Sequence, residues 1–402
     1  MKFLALFALL PLVIATPQPE PIVAPRDVVL IPNQYIVQFK PSAMIASSVA
    51  QLIRDVRRFF RADVLHIYEF AAFGGFAGTF SEAVADGLRR LHYIADVEQD
   101  LVLSLDFGKV PGIVKRAFVT QSSTSSIWGL GRLSFKTPNA GRYVYDSTAG
   151  AATCVYVIDT GVETTHPEFE GRATFLANFA GDGTNVDGNG HGTHVAGTVG
   201  SKTYGVAKRA KIYAVKVLKA DGSGALSGVI AGINFAANDG PKRNCRGTVA
   251  NLSVGGGKSE ALNSAAANAV SSGMFLAVAA GNSAQDANNA SPASEVSAFT
   301  VGATDSSDRW ASFSNFGSVV NILAPGVGIL STWKGGATAV LSGTSMATPH
   351  VAGLAAYFLA LEGKKSPPAL AQRILGLGNR DRITGVPAGT INMIPFNGNP
   401  SG

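Results

Sequence analysis

From Thr153 onward this 402-residue chain alternates short apolar runs with segments of helical periodicity, and this alternation constrains its fold more than any other feature. The apolar runs are continuous, which is typical of strands buried on both faces. Strands of this kind, each followed by a helix, predict an α/β domain with a largely parallel central sheet covered by helices on both faces. The strand-like runs cover 154–158, 212–218, 249–254 and 275–280, short β-rich segments cover 298–304 and 319–323, and the helical segments cover 191–200, 226–238, 260–272 and 345–361.

A smaller unit precedes this domain. Its order of strand, helix, strand, strand, helix and strand predicts a small α+β, ferredoxin-like fold, and no residue pattern in it indicates catalysis. Linkers are expected on both sides, a proline-rich one at 16–33 and another at 106–127. The strands are expected at 34–39, 64–70, 76–80 and 97–105, and the helices at 45–61 and 81–91.

The N-terminus has the pattern of a secretory leader. Lys2 precedes an apolar run at 3–14, and Ala15 supplies a small residue before a cleavage point, so residues 1–15 are expected to be a removed signal peptide. The run is too short to span a bilayer, and no later stretch has about 18 uninterrupted apolar residues. We therefore expect an extracellular protein without a membrane partner.

The net charge and the cysteines give expectations about binding partners and about the redox state of the protein. The formal net charge is +6, and no run of five or more Lys or Arg residues occurs, so we expect no nucleic-acid partner. The two cysteines, Cys154 and Cys245, would form one disulfide in an oxidising compartment or remain two separate buried thiols. The residues alone leave both possibilities open.

Three side chains at the ends of predicted elements could carry acyl-transfer chemistry. Asp159 directly follows the first apolar run, His191 begins a helix among small residues, and Ser345 lies near the start of the last helix. Pro349 is expected in the first turn of that helix, where proline is tolerated. Each residue alone has an ordinary interpretation as a turn, packing or capping residue. Together they supply a nucleophile, a base and the carboxylate that fixes the tautomer of the base.

Two further residues have competing interpretations. Asn282 follows the run at 275–280, and its amide could donate to an oxyanion, although a turn asparagine is the ordinary interpretation. His194 lies one helical turn after His191. Because this pair lacks the H-E-x-x-H spacing and an obvious third ligand, a packing role is favoured and no metal site is predicted.

Chain order separates the known arrangements of such residues. The order Asp, His, Ser is the subtilisin order. The G-x-S-x-G elbow of the α/β-hydrolases is not matched, because Ala347 stands at its last glycine. This argues against an esterase or a lipase.

Three motifs strongly resemble those of the subtilase family: D-T-G at 159–161, H-G-T-H-V-A-G at 191–197 and G-T-S-M-A-T-P-H-V-A-G at 343–353. W-G-L-G at 128–131 is similar to the proteinase K group of fungal secreted enzymes. The resemblance covers about 128–392, and residues 34–107 resemble the inhibitory prosegment of the family. It implies a secreted serine endopeptidase with a prosegment at 16–116, ending at the dibasic pair Lys115-Arg116, and a subtilisin-like peptidase domain at 117–402.

By this resemblance Asp159, His191 and Ser345 form the catalytic triad, and Asn282 is the oxyanion donor. An extended substrate would lie between two strands, and glycines and alanines would form the walls of the pocket for the residue before the scissile bond. No charge lines these segments, so we expect broad cleavage after apolar or aromatic residues. The substrate-binding residues implied are Gly222, Ser223, Gly224, Ser253, Val254, Gly255, Gly256, Ala279, Ala280 and Gly281.

The resemblance also implies that Cys154 pairs with Cys245, and that the prosegment of the protein inhibits it and assists its folding. We expect the protein to be a monomer. No cofactor is implied for catalysis. Asn321 stands where the main calcium site of the family has an aspartate, and Lys136 stands near a second, weaker site. Because the loss of a carboxylate weakens a hard-cation site, we expect at most weak structural calcium.

Two N-x-S/T sequons occur. Asn251 lies in a predicted buried strand and is expected to be unmodified, whereas Asn289 lies in a polar loop and is a glycosylation candidate that the sequence leaves open. A competing hypothesis for the whole chain is a non-catalytic binding protein on the same scaffold. The intact triad and oxyanion residues argue against it.

Overall fold

The computed structural model of the chain describes residues 29–60, 63–70, 73–104 and 127–399. These ranges contain an N-terminal unit (29–104) and a larger C-terminal domain (127–399). The expected signal peptide, the dibasic pair at 115–116 and the expected start of the peptidase domain lie outside the described residues. None of the helices in these ranges has the length and apolar composition needed to cross a bilayer.

The N-terminal unit is an antiparallel sheet with helices on one face, in the predicted ferredoxin-like order. Its strands are β1 (Leu30–Phe39), β2 (Asp63–Phe70), β3 (Phe73–Thr79) and β4 (Ile94–Ser104), and their spatial order is β2-β3-β1-β4. The helices are α1 (Pro41–Ala46), α2 (Val49–Phe60) and α3 (Glu82–Arg89). The single helix predicted at 45–61 was wrong, because Ser47 adopts an extended conformation and separates α1 from α2.

The C-terminal domain is built around a long series of strands and helices. In chain order its strands are β5 (Cys154–Asp159), β6 (Ala173–Asn178), β7 (Lys211–Lys216), β8 (Ser223–Ala225), β9 (Thr248–Leu252), β10 (Gly256–Gly257), β11 (Phe275–Ala279), β12 (Ala290–Ser291), β13 (Phe299–Thr304), β14 (Ile322–Pro325), β15 (Ile329–Trp333), β16 (Ala337–Leu341), β17 (Asn379–Arg380) and β18 (Met393–Ile394). Its helices are α4 (Trp128–Ser134), α5 (His191–Gly200), α6 (Leu226–Asp239), α7 (Glu260–Ser271), α8 (Thr344–Glu362) and α9 (Pro367–Leu377), with 3₁₀ turns at Pro167–Phe169, Gly240–Lys242 and Ala287–Asn289.

A seven-stranded parallel sheet forms the centre of this domain, in the order β14-β13-β11-β9-β5-β7-β6. The predicted α/β fold is confirmed. The sequence did not indicate β6, because this edge strand is only partly buried and so lacks a continuous apolar run. The β-rich segments that the sequence placed apart from the parallel strands belong to this sheet as β13 and β14.

Both faces of the sheet are buried, which explains why its strands are apolar throughout. On β5, Tyr156 and Ile158 pack into a core shared with α6 and α7, whereas Val155 packs into a core shared with α8. Alternate residues of one strand therefore supply two separate cores. Since helices cover both faces, a ligand can reach the sheet at the carboxyl ends of its strands, where the loops that lead into the helices begin.

Helix α8 differs from its prediction in one important respect. It begins at Thr344, so Pro349 lies in its second turn and not in the first. Since proline has no N–H, it cannot donate to the carbonyl of the residue four positions earlier, which is Ser345. The hydroxyl of Ser253 donates to that carbonyl instead, at 2.9 Å.

A disulfide between Cys154 and Cys245 joins the start of β5 to the loop before β9. The two Cα atoms are 5.9 Å apart, and the residues are 91 positions apart in the chain. Cross-linking residues so distant in sequence restricts the unfolded chain, which raises the free energy of unfolding.

We expect the double variant Cys154→Ala/Cys245→Ala to lose roughly 2–4 kcal/mol of stability, because its unfolded chain is no longer restricted. The measurement is the midpoint of guanidinium unfolding, compared with wild type and with wild type that has been reduced. A variant as stable as the oxidised wild type would contradict this account of the disulfide.

Candidate active site

A buried hydrogen bond joins the end of β5 to the start of α5. The Nδ1 atom of His191 lies 2.7 Å from Oδ1 of Asp159, and both side chains are fully buried. The same carboxylate oxygen accepts the backbone N–H of Thr160 at 2.7 Å. Because a carboxylate oxygen accepts, this contact is a hydrogen bond when Nδ1 of His191 is the donor, and the opposite ring nitrogen, Nε2, is then left to act as a base.

Ser345 is held at the start of α8 by two bonds to one residue. Its Oγ donates to the carbonyl of Ser253 at 3.1 Å, and the hydroxyl of Ser253 donates to the carbonyl of Ser345 at 2.9 Å. Asn251, on β9, donates from Nδ2 to the hydroxyl of Ser253 at 2.9 Å. The end of β9 therefore fixes the position of the helix start that carries Ser345.

The side-chain amide of Asn282 has a fixed orientation. Its Oδ1 accepts both the backbone N–H and the hydroxyl of Thr344, each at 2.8 Å. The Nδ2 end, which carries the donors, therefore points the other way, beside Gly343. Thr344 was not singled out in the sequence; its signal was its position directly before Ser345 at a helix start.

These residues all lie at the carboxyl edge of the sheet. Asp159 ends β5, Ser253 follows β9 and Asn282 follows β11, and these strands are neighbours in the order β11-β9-β5. These three residues are spread over more than a hundred positions of the sequence, but parallel strands bring their carboxyl ends together.

The N-terminal unit adds a strand to the C-terminal domain at β8. Residues Val102–Ser104 of β4 pair antiparallel with Ser223–Ala225, with Leu103 opposite Gly224. The sheet of the N-terminal unit thus continues into β8, which contains Ser223 and Gly224, two of the residues expected to bind substrate. Gly222, at φ +83, makes the turn that leads into this strand.

The side chain of Leu103 is buried beside segment 253–256, which is also expected to bind substrate. It is only 1% exposed, and a Cβ atom placed on Gly256 would collide with it. Val254 is buried, and Gly255 and Gly256 lie next to Ser291. Glycine at position 256 therefore leaves the space that an apolar side chain of a bound strand fills.

Segment 279–281, which is expected to form a wall of the substrate pocket, lies at the end of β11, the strand next to β9. Ala279 ends β11, Ala280 is buried, and Gly281 adopts φ +102. A Cβ atom at Gly281 would lie 2.5 Å from Nδ2 of Asn315, so both backbone conformation and space require glycine there.

Two carboxylates of β4 sit at the starts of two helices of the C-terminal domain. Glu98 accepts the hydroxyl of Ser259, which caps α7, at 2.6 Å, and Asp100 accepts the backbone N–H of Ser227, in the first turn of α6, at 3.1 Å. Burial raises the pKa of both carboxyl groups above their usual values. Negative charge is favourable at the N-terminus of a helix, so these contacts complement the apolar interface.

The other buried histidines have structural partners. The Nε2–H of His194 donates to the carbonyls of Ile329 and Ala339, at 3.0 and 3.2 Å. Burial lowers the pKa of His194 to about 3 and that of His350 to about 4. These contacts support the packing role of His194, and within the described ranges no cluster of three or more His, Cys, Asp or Glu side chains could hold a metal ion.

Asn321 and Lys136, the residues at the two expected calcium positions, both contact other residues of the protein. The side-chain oxygen of Asn321 accepts the backbone N–H of Thr300 at 2.6 Å, and Nζ of Lys136 lies 5.7 Å from the ring centre of Phe396. Neither arrangement offers a carboxylate oxygen, the ligand that calcium prefers.

A parallel α/β domain with a buried Asp–His pair and a helix-borne serine at one sheet edge has the architecture of a serine hydrolase. Comparison with known families makes the class specific. Residues 150–376 match the model of the subtilase family, and residues 34–106 match the peptidase inhibitor I9 model. The chain belongs to the subtilase family, and it is a serine endopeptidase with an I9 prodomain at its N-terminus.

Individual relatives agree with this assignment. The chain is 47% identical over 407 residues to the cuticle-degrading protease of Metarhizium anisopliae, covering 99% of this chain and 100% of that protein. It is 56% identical over 292 residues to Proteinase T of Parengyodontium album, covering 72% of this chain and 99% of that protein. The crystal structure of a cold adapted subtilisin-like serine proteinase is 44% identical, with a TM-score of 0.64, covering 67% of this chain and 98% of that one.

We expect acid to destabilise the protein through its buried neutral histidines. Below about pH 6.5 the unfolded chain binds protons at His350, whereas the folded chain does so only near pH 4. The free energy of unfolding therefore falls as the pH drops through this window. His350→Gln should show a smaller fall in melting temperature between pH 7 and pH 4.5 than wild type.

The measurement is calorimetry with a serine-directed inhibitor present to prevent self-digestion. Gln372→Ala, which changes an exposed side chain of the C-terminal domain that carries no titratable group, is the control and should follow the wild-type curve. Identical pH dependence in wild type and His350→Gln would show that the interpretation is wrong.

Proposed function

We propose that the chain is a secreted endopeptidase in which Ser345 is the nucleophile, His191 the general base, Asp159 the orienting carboxylate and Asn282 the oxyanion donor. The observation that carries the proposal is the buried 2.7 Å bond between Asp159 and His191, at the sheet edge where α8 presents Ser345. This contact supports the proposal because donation from Nδ1 to Asp159 makes Nε2 available as the base.

The proposed reaction is acyl transfer. The hydroxyl of Ser345 turns from the carbonyl of Ser253 toward Nε2 of His191, which takes the proton as Oγ bonds to the substrate carbonyl carbon. Asp159 stabilises the imidazolium that forms. Nδ2 of Asn282 and the backbone N–H of Ser345 donate to the oxyanion, and losing one such donor costs about 3 kcal/mol in the transition state. The carbon–nitrogen bond then breaks as His191 protonates the leaving amine, and a water molecule releases the acyl group by the same steps.

The proposed substrate is an extended polypeptide held as an additional strand beside β8. The pairing of Leu103 with Gly224 supports this binding mode, because the prodomain occupies the same strand edge in an extended conformation. The burial of Leu103 beside Gly256 supports a preference for apolar side chains in the groove. Segments 222–224, 253–256 and 279–281 contain no charged residue, so we propose broad cleavage after apolar or aromatic residues.

We further propose that the protein is made as a precursor. Residues 1–15 are the signal peptide, residues 16–116 the prosegment and residues 117–402 the peptidase domain. The N-terminal unit occludes the groove and assists folding, which its strand pairing with β8 and its two helix-start carboxylates support. The mature enzyme is a monomer whose substrates are proteins, with neither nucleic acid nor membrane as a partner.

Catalysis in the subtilase family requires no cofactor. We propose that calcium contributes only weak structural support here, because Asn321 is already used by Thr300. Asn289 is exposed and stays a candidate for glycosylation, whereas Asn251 is fully buried and donates to Ser253. That burial supports an unmodified Asn251.

We expect Ser345→Ala to lower kcat roughly 10⁴-fold or more on a peptide substrate, because the nucleophile is removed while the rest of the site stays in place. Wild type should be labelled by a serine-directed fluorophosphonate and the variant should not. Ser297→Ala, which alters an exposed serine, is the matched control and should keep full activity. Normal proteolysis by purified Ser345→Ala would end the proposal.

The same labelling separates the proposed enzyme from a non-catalytic binding protein, since only an activated serine reacts. Wild type that resists the probe and leaves casein intact would favour the binding protein. Rapid hydrolysis of a triglyceride without cleavage of casein would favour a lipase.

We expect a peptide-library profile dominated by apolar and aromatic residues before the cleaved bond, because the proposed pocket walls are glycine and alanine without charge. The measurement is the ratio of kcat/KM between Phe- or Leu-containing substrates and their Arg or Lys counterparts. A profile dominated by Arg or Lys would refute the proposed pocket.

A further inference from the structure

One buried carboxylate outside the proposed triad accepts an unusual number of hydrogen bonds. Asp187 lies in the loop before α5 and is 6% exposed. Its Oδ1 accepts the hydroxyl of Thr160 at 2.8 Å and the backbone N–H groups of Asn189 and Gly190 at 3.1 and 2.8 Å. Its Oδ2 accepts the backbone N–H and the hydroxyl of Thr193, at 2.8 and 2.6 Å.

These donors flank the two residues of the buried pair. Thr160 directly follows Asp159, while Gly190 directly precedes His191 and Thr193 stands two positions after it. The hydroxyl of Thr160 also accepts the backbone N–H of Gly192 at 2.9 Å. The end of β5 and the start of α5 are therefore tied together through Asp187.

We propose that Asp187 is a positioning residue, which sets the distance between Asp159 and His191 by holding the backbone on both sides of that pair. This inference rests on the proposed roles of Asp159 and His191.

The chemistry requires a carboxylate at this position. Five donors converge on two oxygen atoms, and a carboxylate has only acceptors to offer them. An asparagine would turn its NH₂ group toward N–H or O–H donors on one side, so at least one bond would be replaced by a repulsive contact. The negative charge also lies at the N-terminal end of α5, where the helix dipole favours it.

The test compares Asp187→Asn with Asp146→Asn. Asp146 accepts the N–H of Thr148 in a turn that precedes β5 in the chain, so the control removes a carboxylate that holds a turn elsewhere in the domain. We expect Asp187→Asn to lower kcat about 10-fold or more while KM changes less than about 2-fold, because a misplaced base slows chemistry without altering the groove. Asp146→Asn should match wild type in both constants.

A second pair of variants keeps the buried charge and removes one link. Thr160→Val is nearly isosteric but loses the hydroxyl that bridges Asp187 and Gly192, and Thr160→Ser restores it. We expect kcat to fall about 5-fold or more in Thr160→Val and to stay within about 2-fold of wild type in Thr160→Ser. This pair decides the question if Asp187→Asn does not fold.

Proton NMR of the full chain adds a readout that does not depend on turnover. The Nδ1 proton of His191, bonded to Asp159, should give a downfield resonance in wild type that is shifted or broadened in Asp187→Asn and Thr160→Val but retained in Asp146→Asn. Unchanged kcat and an unchanged resonance in folded Asp187→Asn, with wild type active, would overturn the inference and leave the proposed function intact. An inactive and unlabelled wild type would end the proposed function, and the resonance would still decide whether Asp187 positions the pair.

Discussion

The arrangement of the site depends on the hydrogen bonds that are donated to its buried carboxylates. An isolated buried charge is very costly, so each must be met by donors. Asp159 receives the ring of His191 and the N–H of Thr160, and Asp187 receives five donors from the loop and helix around it. These bonds fix the end of β5 and the start of α5 relative to each other, and the parallel sheet supplies the edge where this is possible.

The same principle shapes the contact between the prodomain and the catalytic domain. Glu98 and Asp100 are both on β4, two residues apart, and each meets the start of a different helix. Between these polar contacts and β8, Leu103 fills the space above Gly256. The prodomain is thus held by strand pairing, by burial of apolar surface and by charge at helix ends, three contributions of different physical origin.

The sequence predicted the features that arise from local pattern and failed for those that arise from long-range contacts. The parallel sheet followed from continuous apolar runs, and the motif residues stood out because small residues surround them. β6 was missed because an edge strand is only half-buried. Thr344 and the hydroxyl of Ser253 were missed because their partners are 62 and 92 positions away in the chain, and no local periodicity records such contacts. Asp187 was missed because an aspartate in a polar loop is ordinary: most of its donors belong to Asn189, Gly190 and Thr193 nearby, and only the bond from Thr160, 27 positions away, joins it to the end of β5. The position of Pro349 was misjudged: it is the sixth residue of α8 and the fifth of the helix expected at 345–361, so it lies beyond the first turn in both.

The proline in α8 has a mechanical consequence. Backbone hydrogen bonds normally make the first and second turns of a helix move as one body. In α8 the bond from residue 349 to the carbonyl of Ser345 is missing, because residue 349 is proline, and the hydroxyl of Ser253 at the end of β9 donates to that carbonyl instead. When the helix and the sheet slide against each other, Ser345 should therefore follow the sheet. Ser253, in the segment that would hold a bound peptide, then moves with Ser345, the residue that would attack that peptide. Thermal motion of the rest of α8 should therefore change the distance between the two residues very little.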